Sequence, residues 1–400
     1  MTFIRRTTSK LAKAYIGLSR EMWILAIAML INRSGAMVLL FMSVYLTAQL
    51  HFTIPQAGVV LSMFGFGSLV GAYLGGKLVD KIGFYSILVN SLLMSGLMII
   101  SLSFFKNYYM VAGITFMVTC MGDMFRPANA AAIYVYAKKE NYSQAIALNR
   151  LAMNLGFTVG PMLGGLLAHF NYQFLFWVDG TTCILSAIFL KSLLPKRETP
   201  AKTIKDKTNK KEFSPYFDKK YIAFIFFTSL YAICFFQLIC TFPLYFKNVH
   251  HLSESSIGLL MALNGVGVAT IEMFLIYYIR NKWSQLNFIS VGILFLIVAF
   301  LILIPFNSYY TLVVSIIALT ISEMLSMPFM STISLQKSEG KNMGDYAALY
   351  AMSWSSALIL APIIATQIIS RYNFHTLWFS IAVIGFISLI GFQFLRKKAY

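Results

Sequence analysis

Twelve long apolar runs separated by short polar connections constrain this chain more than any other feature of its sequence. They fall at approximately 22–48, 54–77, 84–105, 108–135, 143–169 and 173–193. After a polar stretch they resume at 219–246, 254–280, 285–306, 308–334, 343–370 and 374–395. A hydrocarbon layer of roughly 30 Å is crossed by about 20 apolar residues in a helix rising about 1.5 Å per residue. Each run reads as one membrane-spanning helix, numbered span one to span twelve along the chain. Only 12% of the 400 residues are charged and 58% are hydrophobic, whereas a soluble chain carries about a quarter charged residues. The spans use almost the whole length and leave no room for a separate soluble catalytic domain. The fold class that follows is an all-α membrane protein.

The formal net charge of +18 would suggest nucleic acid if the basic residues formed a patch on a soluble surface. Here they sit between apolar runs, so they speak of membrane topology and of lipid headgroups as partners, not of nucleic acid. Of the 32 Lys and Arg, the spans hold Arg33 and Arg126, and one face of the membrane holds only Lys106, Lys247 and Arg371. The rest, with Arg150 counted in a 138–150 loop, lie on the face that carries both termini. The positive-inside rule places that face in the cytoplasm. The first 20 residues are basic and too polar to span, so span one is expected to serve as its own insertion signal. The cysteines (Cys120, Cys183, Cys234, Cys240) lie in apolar segments without ligand or framework spacing and read as packing residues. The histidines (His51, His169, His250, His251, His375) fall at span ends opposite the termini, with no zinc-like spacing. No metal is expected.

Residues 194–218 are lysine-rich and poor in apolar residues, and read as a solvated cytoplasmic linker between bundles at 1–193 and 219–400. The bundles are related by an internal repeat. At an offset of about 200 residues, Tyr45 meets Tyr245, His51 meets His251, Gly58 meets Gly258, Gly65 meets Gly265 and Asp123 meets Glu323. One residue further on, Pro127 meets Pro328 and Pro161 meets Pro362. Gly, Pro and acid matches in order at one nearly constant offset indicate two six-span halves in the same orientation. That arrangement sets a binding site at their interface near mid-membrane.

Between spans two and three the chain reads Gly75, Gly76, Lys77, Leu78, Val79, Asp80, Lys81, Ile82, Gly83. This resembles the Gly-x-Leu-x-Asp-Arg/Lys-x-Gly signature of the major facilitator superfamily, although Phe84 and Tyr85 stand where many members carry further basic residues. Span five holds Gly156, Gly160, Pro161, Gly164 and Gly165. Glycines four apart form a bare stripe for close helix packing, and the proline permits a bend. The stretch resembles the Gly-x-x-x-Gly-Pro-x-x-Gly-Gly motif of the family's drug/proton antiporters. The resemblance implies the twelve-span facilitator fold with two pseudo-symmetric six-helix bundles and alternating access. It also gives Gly76, Asp80, Lys81 and Gly83 the role of a cytoplasmic latch against the start of span eleven, near Asp345. Asp80 would there meet a like charge, so Lys81 is expected to balance Asp345.

Ionisable groups at bilayer depth are costly and usually face a partner or a wet cavity. Asp123 and Arg126 project from nearly the same face of span four, and Arg33 lies at comparable depth in span one. Asp123 can pair with Arg33, with Arg126 or with both. A structural pair that locks two helices and a switchable functional network both remain open. Glu323 has no basic partner in its own span and is the better candidate for a reversible proton carrier. Glu272, on one face of span eight with Gly265 and Val268, is a second. Asp179 in span six reads as a structural hydrogen-bonding group.

These features together predict a monomeric multi-pass transporter of a bacterial inner membrane, with no cofactor and the proton gradient as driving force. The expected activity is export of a small amphipathic or drug-like molecule. A symporter or facilitator importing a polar or anionic solute is the alternative, with Arg33 and Arg126 as its clamp. A non-transporting receptor or scaffold of the same fold is the alternative from another class. No clustered Ser/His/Asp, Cys/His or metal-ligand constellation in the spans suggests an enzyme.

Overall fold

The computed structural model describes residues 17–138, 141–197, 215–279, 282–306, 308–337 and 343–397, and among these there is no β-strand. Most of the linker, at 198–214, lies outside the described residues. Among the described residues eleven helices are long and apolar enough to cross a bilayer. Span nine, Gln285–Leu301, is the shorter twelfth at 17 residues and packs along spans ten and twelve. Spans two, three, five and six are the continuous helices Ile54–Ile82, Phe84–Leu102, Tyr142–Phe170 and Gln173–Leu193. Spans eight, ten, eleven and twelve are Glu254–Ile279, Tyr309–Lys337, Met343–Arg371 and Phe374–Lys397. Arg150 therefore lies two turns inside span five, not in the loop before it.

Three spans are interrupted. Span one is Arg20–Gly35 followed by Val38–Val44 and a π turn at Tyr45–Gln49. Span four is Tyr108–Asp123 and Phe125–Tyr136, and span seven is Lys219–Phe235, Gln237–Cys240 and Phe242–Asn248. A helix that restarts in the membrane exposes backbone N–H groups that no water can satisfy. In span one the buried Asp179 of span six meets this need. Its Oδ2 accepts from the backbone N–H of Met37 at 3.3 Å and of Val38 at 3.2 Å.

The helices pack as two copies of one pattern. Span one lies against five and six, two against four, and three against four and six. Span seven likewise lies against eleven and twelve, eight against ten, and nine against ten and twelve. Two seams join the halves, span two with eleven and span five with eight. Thr53 caps span two and Ser253 caps span eight, each hydroxyl accepting a backbone N–H three residues on. His51 and His251 both adopt a left-handed backbone, with φ of 55° and 51°. That region is uncommon for a residue with a Cβ. Here it closes a helix end, as the N–H groups of Phe52 and Leu252 return to the carbonyls of Leu46 and Phe246.

The seams are built from small residues, as close approach in lipid requires. A methyl group on Gly258 would fall 2.8 Å from Cα of Gly165, and one on Gly265 2.8 Å from Cα of Thr158. In the other seam Gly58 lies against Thr366, and Gly65 would meet the backbone nitrogen of Ile359 at 2.7 Å. These are the same contacts under the repeat, since Gly165 corresponds to Thr366 and Thr158 to Ile359. One hydrophobic core joins both halves. It takes in the far-side part of the N-terminal half, with Phe41, Tyr45 and Phe176, and the C-terminal half along its length, from Tyr245 and Phe246 to Tyr221 and Phe392. Towards the termini side the N-terminal half packs as a core of its own, around Met22, Phe84, Phe125 and Tyr136. The shared core reaches the N-terminal half only at the far side.

Candidate functional site: a cavity between the halves

Between the seams lies a cavity of about 210 Å³. Span one contributes Ala36, Leu39 and Leu40, and span five contributes Asn154, Phe157 and Pro161. Span seven supplies Phe235, Leu238 and Ile239, span eight Met261, Asn264, Gly265 and Val268, and span ten Glu323. The wall is apolar except for two amides and one acid. Pro161 sits in an unbroken helix and deprives the Phe157 carbonyl of its donor. That carbonyl lies against the bare backbone of Gly265, which needs no side chain there.

Among the described residues Glu323 is the only carboxylate on this wall. Asn264 Nδ2 donates to its Oε2 at 2.9 Å and also to Thr320 Oγ1 at 3.1 Å. Among the described residues no Lys, Arg or His forms an ion pair with it. Its repeat counterpart Asp123 is held differently, with Arg126 Nε 3.0 Å from Oδ1. Asn264 corresponds to Phe64, which has no donor to offer. The two halves place an acid at the same depth and neutralise only one of them.

Met124 and Pro127 of span four lie against Gly75, and Gly122 against Ser95. Asp123 and Arg126 therefore project from the remaining face, within electrostatic reach of Arg33. Of the pairings open in the sequence, the structure has Asp123 with Arg126. Arg33 instead lies over the Phe157 ring at 5.4 Å, and its buried Nε has no hydrogen-bond partner. Gly156 makes room for it, since a methyl group there would meet the backbone carbon of Arg33 at 2.9 Å. Gly160 and Gly164 continue this contact along Ala36 and Met37, so the glycine stripe seats the broken part of span one. Gly165 faces span eight.

Glu272 does not reach Glu323 directly. It accepts from Arg150 Nη2 at 3.1 Å, an ion pair from span five to span eight that sequence reasoning missed because Arg150 was counted as loop. A second missed network closes the far side. Glu254 Oε1 accepts from Tyr172 OH of the N-terminal half at 2.8 Å and from Lys247 Nζ at 2.6 Å. Burial, then the hydrogen bond and charge of Glu254, push the Tyr172 phenol well up, so it remains a donor.

Asp80, Lys81 and Asp345 are exposed, and a methyl group on Gly76 would meet nothing within 4 Å. Gly83 ends span two at φ 86°, where glycine is favoured. Among the described residues no ion pair joins Lys81 to Asp345, so the expected balancing of that charge is absent from this conformation. The four cysteines are free and buried, and the described residues hold no group of His, Cys, Asp and Glu able to bind a metal.

Two repeated helical bundles around a cavity with a buried acid define a membrane transporter. The chain matches the Major Facilitator Superfamily over residues 22–362, with a second match over 250–399, and belongs to that superfamily. It is 24% identical to the uncharacterized MFS-type transporter YttB of Bacillus subtilis (strain 168), over 92% of this chain and 94% of that one. It is 26% identical to the multidrug resistance protein MdtG of Citrobacter koseri, over 36% of each chain. Among solved structures, the nucleoside transporter NupG superposes with a TM-score of 0.77 at 13% identity, covering 95% of this chain and all of that one. A peptide transporter POT in complex with sulfate gives 0.78 at 14%, covering 96% and 95%. These two likenesses establish the fold alone. Relatives and neighbours are transporters and not enzymes, and this chain is a membrane transporter.

Proposed function

We propose that the chain is a proton-coupled exporter of small amphipathic molecules, working by alternating access as a monomer in a bacterial inner membrane. Bundles 1–193 and 219–400 are its moving parts, and the basic, terminus-bearing face is cytoplasmic. The observation that carries this reading is Glu323. It is a carboxylate on the wall of a cavity that is apolar but for two amides, held by a neutral amide and, among the described residues, in no ion pair. Such a group can exchange a proton for the positive or polar end of a ligand, while Phe157, Phe235, Leu238 and Met261 cover the apolar part. The distant multidrug relatives point the same way. Proton-driven flux needs no cofactor.

The test is transport of a panel of amphipathic fluorescent dyes by protein reconstituted in vesicles, with an imposed pH gradient. Glu323→Gln is expected to abolish gradient-driven flux and to retain dye binding. Undiminished flux in that variant would remove Glu323 from the scheme. A second reading rests on Arg33, whose buried Nε lacks a partner. A ligand carboxylate could fill that vacancy, with Arg126 beside it, in an importer of anionic solutes. Uptake of organic anions by right-side-out vesicles, lost in Arg33→Gln, would favour it over export.

A further inference from the structure

The faces of spans five and eight that line the cavity continue beyond it. On span five, Pro161, Phe157 and Asn154 lead at helical spacing to Arg150, one turn nearer the termini side. On span eight, Met261, Asn264 and Val268 lead to Glu272 in the same way. The 3.1 Å ion pair of Arg150 with Glu272 thus crosses the mouth of the cavity from one half to the other. It has no copy in the second seam, where the repeat sets Ala351 and Ala72 at these positions. A feature absent from one of two matched seams is not needed to build a seam.

We propose that Arg150 is a positioning residue for gating: its bond to Glu272 bars the termini-side mouth, and the charge on Glu323 sets how firmly it holds. The groups around Glu323 are few. Span eight presents Asn264 and Glu272, span seven Tyr231 through Ser322, and span five Arg150. Arg150 itself is also within electrostatic reach of Tyr350 on span eleven. Glu323 and Glu272 belong to the same half, so their repulsion does not act across the mouth. The attraction of Glu323 for Arg150 does. An ionised Glu323 therefore tightens the bar, and a proton or a bound cation on it loosens the bar. The inference rests on the reading of Glu323 as a reversible acceptor, but it needs no knowledge of the cargo.

The experiment is a spin-label distance across the mouth, between Ile146→Cys and Ile276→Cys, one turn beyond Arg150 and Glu272. The native cysteines are buried, which directs the label to the introduced sites. In otherwise unchanged protein the ratio of short-distance to long-distance populations should rise at least about threefold between about pH 5 and about pH 9, a window spanning carboxyl titration. Glu323→Gln should flatten that response, and Arg150→Gln should hold the long distance at every pH. The paired exchange Arg150→Glu with Glu272→Arg decides the matter. It restores the ion pair but sets a negative group opposite Glu323, so the pH response should invert. A merely structural pair would keep the original sign, or show no response, and either result overturns the proposal. Failure of dye export with an inverted response intact would instead count against the exporter reading alone.

Discussion

Asp179 shows how much a single residue carries here. Its carboxylate takes two backbone N–H groups at the restart of span one, and in a dry interior no solvent can replace it. Hydrogen bonds to a charged acceptor contribute about 1.5–3 kcal/mol, and leaving a buried donor unmade adds to the loss. Asp179→Ala is expected to destabilise the protein by about 2–4 kcal/mol, read as a lowered midpoint of thermal unfolding in detergent. Asp179→Asn, which keeps one carbonyl oxygen, should recover more than half of that loss. Equal damage from both would mean that charge, not acceptance, is what the site requires. The unlike partners of Asp123 and Glu323 make a related point. A repeat fixes where an acid sits but not what holds it, because Phe64 and Asn264 differ by one side chain.

At the scale of helices, the glycines of span five divide sharply. A methyl on Gly156 meets the backbone carbon of Arg33 at 2.9 Å, which cannot turn aside. One on Gly160 meets only carbonyl oxygens, at 3.3 Å or more. Gly156→Ala should therefore cut the yield of monodisperse protein on size exclusion by several fold, and Gly160→Ala should leave it within about twofold. The spans and their pairing into halves were legible in the sequence, because long apolar runs and a repeat spacing survive errors of a few residues. The restart of span one was not read, since residues 34–37 contain no proline. Ser34 and Gly35 weaken the helix there, and the N–H groups of the restart are taken up by Asp179 of span six, a contact the sequence does not display. Arg150 was missed although the run at 143–169 already contained it, because it was counted with the 138–150 loop for charge. The helix begins at Tyr142 and carries Arg150 two turns in, facing Glu272 of span eight. Asn264 as the partner of Glu323 depends on how spans eight and ten are rotated against each other, which hydropathy does not encode.

For the whole molecule, the halves are linked at the far side where Tyr172, Glu254 and Lys247 meet, while the latch residues Asp80, Lys81 and Asp345 are exposed. Gly76 has empty space before it, and the proposed alternating access would bring the termini-side ends of spans two and eleven together. Gly76→Leu is expected to keep the thermal midpoint within about 2 °C and to reduce vesicle flux by at least about tenfold. A fall in stability with flux preserved would show that Gly76 serves folding and not the moving latch. Tyr172→Phe removes one bond across the far side, a contribution of about 1 kcal/mol. It should raise the accessibility of cavity residues from the face opposite the termini, measured by labelling a cysteine placed at Leu39.

The chain entering and leaving the linker is fastened on each bank. Arg197 pairs with Glu21 at 3.1 Å and stacks over Tyr136, whose hydroxyl donates to the Pro195 carbonyl. Beyond it, Asp218 caps Tyr221 and accepts from the hydroxyl of Tyr346 at 3.4 Å. The principal contacts between the halves among the described residues run through the span seams and the far-side cluster, so surfaces alone offer the halves a way to recognise one another. Severed between residues 198 and 214 and produced as two polypeptides, the fragments should find one another in the bilayer and co-purify as a working pair.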